Sequence, residues 1–205
     1  MLPLTLDDLL PLEEYAGRRR EFFDSHRRYI DRYRRVRIGP RVTLIFENRQ
    51  TLWFRVQEII RIARLMDKVQ VQQELNLYNR LLPGANCLQA ALLIDIAENS
   101  QLARELATWQ KLQGDMLGLM IGRTRYPATL VTCRPEDRCV GAAHWLQFAV
   151  DTVGRNMLAN PETPTLFRFD SPFYQHQSGQ LGDELRQSLL DDLDLSDRDL
   201  QRKAG

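Results

Sequence analysis

Cysteine, lysine and histidine are all scarce in this 205-residue chain, at three residues each. Cys87, Cys133 and Cys139 are too few, and odd in number, for a secreted disulfide framework. With only His26, His144 and His176 available, a histidine-rich metal site is not expected, and no cofactor is predicted. There is no G-x-G-x-x-G, G-x-x-x-x-G-K-[ST], H-E-x-x-H, G-x-S-x-G or C-x-x-C. The dinucleotide, P-loop, zincin and hydrolase-elbow readings therefore lose their usual support. No apolar run approaches the roughly 18 to 20 residues of a membrane helix. The opening MLPLTLDD has no basic residues before its leucines and no small-residue cleavage site, which points to a cytoplasmic protein.

What is present is ordinary globular material, 43% hydrophobic and 27% charged. Its length suits one domain. Arginine outnumbers lysine 25 to 3, and a GC-rich genome accounts for this without phosphate recognition. The charge is unevenly spread. Nine arginines face three acids between Arg18 and Arg37, a local net of +6, whereas seven acids face two arginines between Asp183 and Asp199, a net of −5. The two ends are electrostatic complements.

Periodicity divides the chain into a helical arm (1–35), an α+β core (36–170) and a polar tail (171–205) ending in a helix. Tyr15, Phe22, His26, Tyr29 and Tyr33 share one face of a basic helix over 13–33. A strand over 42–46 leads into the strongest helix, 48–65, with Leu52, Val56, Ile59 and Ala63 as its expected buried stripe. Asp67 and Gln70 open another helix, which Pro83-Gly84 stops. A strand is expected at 90–96, a helix from Ser100 to near Gly114, and strands at 116–122, 128–133, 140–150 and 166–170. Leucines at 185, 189 and 193 line an acidic terminal helix. Helices before and after clustered strands predict an α+β fold with a mostly antiparallel sheet.

Three functional readings remain open. The Arg49–Trp53–Gln57 row, at successive i+4 steps, combines an aromatic anchor with both hydrogen-bonding senses and suits an exposed docking surface. Glu47, Glu58 and His144 supply the groups for a small enzyme, provided that they meet in one concavity. The arginine-rich helix invites a nucleic-acid reading, but its aromatics fall on the buried face instead of alternating with the basic groups. Cys133 and Cys139 flank RPEDR at an expected hairpin tip, where reduced thiols or a redox pair would each fit.

The segments LTLDDLLPLEEY, VTLIFENRQTLWFRVQEIIR, ELNLYNRLLP and AAHWLQF resemble an uncharacterised bacterial family, domain of unknown function 3501. The likeness runs from about Leu4 to Tyr174. By motif position it carries over Glu47, Asn48, Arg49, Gln57, Glu58, Tyr78, Asn79 and His144. Members are often encoded beside rubrerythrin-like di-iron proteins and iron-sulfur oxidoreductases, so the resemblance implies an accessory role in a redox or peroxide-defence system. That makes Arg49, Trp53, Gln57, Tyr78 and Asn79 the expected binding residues. In DSPFY, Ser171 stands where the family pattern usually carries histidine, which puts a catalytic role for that position in doubt.

Overall fold

Gly39 turns the chain between its first two strands, β1 (Arg35–Ile38) and β2 (Val42–Phe46). Its φ of +65° lies in the left-handed region that favours glycine. A Cβ there would sit 2.5 Å from the His176 ring and 2.6 Å from the Tyr174 hydroxyl. The computed structural model describes residues 1–96, 101–131 and 143–203, without the side chains of 143 and 195–203. The remaining strands are β3 (Cys87–Ile94), β4 (Leu117–Ile121), β5 (Thr124–Leu130), β6 (Ala143–Ala149), β7 (Thr165–Asp170) and β8 (Gln175–Gln177). The helices are α1 (Leu12–Tyr33), α2 (Arg49–Ala63), α3 (Lys68–Asn79), α4 (Leu102–Trp109), α5 (Thr152–Ala159) and α6 (Asp183–Lys203). The fold is α+β, as the patterning predicts.

All strand pairs are antiparallel, in the order β1-β2-β3-β6-β5-β4-β7-β8, and the sheet curls nearly into a barrel. Strand alternation sends Leu44, Phe46, Leu88, Leu92, Leu146 and Phe148 inward, and α6 adds Leu189, Leu190 and Leu193 to the same core. Among the described residues, β1 and β8 each pair with a strand on one flank only, which leaves a seam. Ser171 builds the turn that closes it, its Oγ accepting from the Phe173 and Tyr174 amides at 3.3 and 2.9 Å. Tyr174 then donates its hydroxyl to the Ile38 carbonyl at 2.6 Å and accepts from the Arg41 amide at 3.2 Å.

The outer face of β2, β3 and β6 carries α2, α3 and the N-terminal segment over a second core of Leu4, Leu52, Val56, Ile60, Leu75 and Leu81. α2 is rotated slightly from expectation: Ile60 is buried, whereas Ala63 is exposed. Three elements escape the sequence pattern. β1 alternates buried Val36 and Ile38 with exposed arginines, a period hidden inside a basic run. β8 is exposed throughout and carries no apolar signal. α5 contains a glycine, and its start depends on the Asp151 side chain capping the Gly154 amide at 2.7 Å. Cys133 and Cys139 lie outside the described residues.

The opposed charges do meet. Arg32 pairs with Glu184 at the surface, and Arg34 pairs with Asp192 in the interior, where both side chains are almost wholly inaccessible. Arg34 Nη2 lies 3.0 Å from Asp192 Oδ1, and its Nε donates to the Tyr29 hydroxyl at 3.0 Å. Six of the nine arginines from Arg18 to Arg37 (18, 19, 27, 32, 34 and 35) make ion pairs within the chain. Much of the charge that suggested nucleic acid is thus already neutralised.

Because Gly39 combines a left-handed backbone with contact against Tyr174, Gly39→Ala is expected to destabilise the fold by about 1 to 3 kcal/mol. Equilibrium urea denaturation measures it. A loss below about 0.5 kcal/mol would show that the seam does not depend on this turn.

Candidate functional site

α2 divides the motif residues between two sides. Thr51, Phe54, Arg55, Glu58 and Ile59 follow one stripe, and Arg49, Leu52, Trp53, Val56 and Ile60 follow the other. The first stripe, with α1, α3 and the outer sheet face, encloses an open cleft of about 520 Å³. Phe23, Ile30, Ile45 and Leu93 give it apolar walls, and Arg27 and Arg35 line it from the α1–β1 side.

Glu58 lines the cleft, but its carboxylate is committed. Tyr15 donates its hydroxyl to Oε1 at 2.9 Å, Arg19 Nη2 to Oε2 at 2.9 Å, and Arg61 Nε to Oε1 at 3.1 Å. Burial pushes the Glu58 pKa up, but these donors outweigh it and hold the group down at about 2. Burial first, then the same carboxylate, drives the Tyr15 phenol well above its ordinary range.

Glu47 lies beneath the cleft and is fully buried. It accepts from Thr51 Oγ1 at 2.5 Å and from Arg55 Nη2 at 2.6 Å. Arg55 in turn lies over the Trp145 ring, 5.2 Å from its centroid. Asn48 caps α2, its side chain accepting from the Thr51 amide at 3.1 Å. Its own amide donates to Tyr29 at 2.8 Å.

His144 does not join the two glutamates. It pairs with Leu92, which pairs with Leu44, so its side chain shares the interior face. Glu47 follows Phe46 and belongs to the outer face, so the sheet lies between them. The three catalytic candidates therefore share no concavity. The histidine of the cleft is His26, which sequence reasoning placed on the correct face of α1 without giving it a role. Its ring stacks on Phe54 with centroids 3.9 Å apart. Burial first, then the Arg55 charge, lowers its pKa to about 4.

The expected exposed row is also corrected. Gln57 is buried, and Trp53 packs against the Tyr15 and Phe22 rings. Trp53 Nε1 donates to the Asp8 carbonyl at 2.8 Å, and Arg49 Nη2 meets the Asp8 carboxylate at 2.6 Å. Asn79 holds Leu4 from both sides, accepting from its N–H and donating to its C=O, each at 2.8 Å. Three of the five expected binding residues thus bind the chain's own N-terminal segment. Tyr78 alone of the five lines the cleft. Among the described residues, no three His, Cys, Asp or Glu side chains cluster as metal ligands, and no helix is long and apolar enough to cross a membrane.

Comparison with known proteins now bears on these positions. The profile of a family described as protein of unknown function (DUF3501) matches residues 3–193. The chain belongs to the DUF3501 family. A crystal structure of a protein of unknown function from Burkholderia pseudomallei K96243 is 28% identical to it, with a TM-score of 0.84. The likeness covers 94% of this chain and 100% of that one. Comparison with curated proteins finds no match. In this DUF3501 chain the FENR motif therefore has an assigned structural part: Glu47 and Asn48 organise the start of α2, and Arg49 grips the N-terminal segment.

Two titrations follow. His26 has a folded pKa near 4 against an ordinary 6.5, so the unfolded chain takes up its proton first. This contribution to stability is complete above pH 6.5 and is lost as pH falls toward 4. Glu58 is likewise depressed, from 4.5 to about 2, and its contribution is lost between those values. NMR titration should give a His26 midpoint near 4, and Glu58→Gln should flatten the acid limb of the stability curve. A His26 midpoint near 6.5 would contradict the half-buried, stacked ring.

Proposed function

We propose that this protein is a non-catalytic accessory protein that docks a partner from a redox system in the α1–α2–α3 cleft. One observation carries the reading: the Glu58 carboxylate on the cleft is held by Tyr15, Arg19 and Arg61, and the Glu47 carboxylate near it is buried against Thr51 and Arg55, which leaves apolar walls and a cationic rim. Glu58 at about pKa 2 is a poor general base at neutral pH. His26 is neutral and stacked, and His144 is on the far side of the sheet. Phe23, 43% exposed, offers the aromatic contact that Trp53 does not. Arg27 and Arg35 share a single acid, Asp31, and so keep a net positive charge that favours an acidic segment on the partner. The redox assignment is supported by the family resemblance, through the rubrerythrin-like and iron-sulfur oxidoreductase genes often found beside its members.

Binding to a rubrerythrin-like protein and to an iron-sulfur oxidoreductase, the kinds of protein often encoded beside family members, is measured by calorimetry. Phe23→Ala and Arg27→Glu should each weaken it at least tenfold, and Arg27→Glu should also reduce its salt dependence. Both residues are well exposed, so the thermal midpoint should move little. Absence of binding, or binding indifferent to both substitutions, would overturn the proposal.

A further inference from the structure

The second stripe of α2 forms, with α3, a groove that already holds a peptide. Its occupant is the chain's own Leu4–Asp8 segment, and every element of peptide recognition is visible. Leu4, 2% exposed, fills a pocket of Leu52, Val56, Ile60, Leu75 and Leu81. Asn79 reads the backbone of that leucine, using one amide acceptor and one donor on one N–H and one C=O at 2.8 Å each. Such a clasp fixes an extended residue whatever its side chain. Four residues on, Trp53 Nε1 takes the Asp8 carbonyl and Arg49 its carboxylate. Thr5 and Asp8 bond one another, Thr5 N to Asp8 Oδ2 at 2.7 Å, which shapes the turn between the two anchors.

The arm does not satisfy the groove completely. Arg49 Nε is buried with no hydrogen-bond partner among the described residues, so the guanidinium has a second donor to offer an acidic side chain. The arm is also joined to α1 by only Leu9, Leu10 and Pro11, a short link without regular structure. Leu6, between the two anchors, remains 36% exposed, and Leu9, just past Asp8, packs half-buried against the same core, so the segment is held at Leu4, Asp8 and Leu9 and not in between.

We infer that this groove is a recognition site for a partner polypeptide carrying a leucine and, four residues later, an acidic residue, and that the N-terminal arm occupies it in cis until such a segment displaces it. The site is separate from the docking cleft: the two use different stripes of α2. An incoming peptide competes with a tethered arm whose effective concentration is on the order of millimolar, so binding to the intact chain is weak by construction.

The probe is a fluorescent peptide with the arm's own sequence, MLPLTLDDLL, followed by anisotropy against full-length protein. The variant Leu4→Ala/Asp8→Ala loosens the arm while leaving the groove intact. It should bind the probe at least tenfold more tightly than the wild type. Adding Asn79→Ala should cancel that gain, and a probe lacking the leucine and the second aspartate should not bind. If the loosened variant fails to fold, hydrogen exchange on the wild-type chain replaces it: excess peptide should accelerate exchange at the Leu4 amide. A folded, loosened variant without saturable binding would overturn the inference, as would unchanged Leu4 exchange. So would a dimer by light scattering that dissociates on adding peptide, because the occupant would then be the arm of a second copy.

Discussion

Arg34 and Asp192 form an ion pair from which water is almost wholly excluded, and most of the architecture is arranged around it. Burying two charges costs several kcal/mol each, recovered only when geometry and secondary hydrogen bonds are good. Here Tyr29 accepts from the arginine, and Asn48 hydrogen-bonds the aspartate as well as capping α2. Burial pushes the Asp192 carboxyl up, and the guanidinium and Asn48 pull it back. The pair therefore ties together the end of α1, the N-terminus of α2 and the middle of α6. Once α6 is fixed, Leu189 and Leu193 enter the barrel interior. Arg186 adds a second fastening, donating to the Asn160 and Thr163 carbonyls at 2.7 and 2.8 Å where α5 ends.

That frame makes α2 a divider. Its position over the sheet is set by its cap and by the Glu47–Arg55 pair, leaving one side for the N-terminal arm and another for the open cleft. Carboxylates held in this way serve architecture: Glu47 and Glu58 organise arginines across layers, and neither presents a free basic oxygen to solvent. Binding through shape and cation-rich walls is what such a surface can still do.

The fold class, the long helices and the complementary ends were legible because they rest on local periodicity and summed charge. Glu47, Asn48 and Arg49 stood out in the sequence for the right reason, a strand entering a capped helix. Their partners did not. Asp8, Tyr29, Arg55 and Leu4 lie across turns or far along the chain, and no spacing rule relates Leu4 to Asn79. His144 was placed correctly on an apolar strand face, but parity alone did not reveal that Glu47 lies on the opposite one; the register of β2, β3 and β6 decides that. Trp53 looked like an exposed anchor because its concealment depends on the Tyr15 and Phe22 rings of α1 and on an arm 45 residues away. His26 acquires its low pKa from burial between α1 and α2 and then from the Arg55 charge, an arrangement of two helices that the sequence shows only separately.

The dependence of the fold on the buried pair is open to a double-mutant cycle. Arg34→Met, Asp192→Leu and the double substitution are compared by urea denaturation. Each single change strands a buried charge and should cost about 3 to 5 kcal/mol, and the double should cost far less than their sum. Small, additive losses would contradict the account, because α1, α2 and α6 would then be held together without this pair.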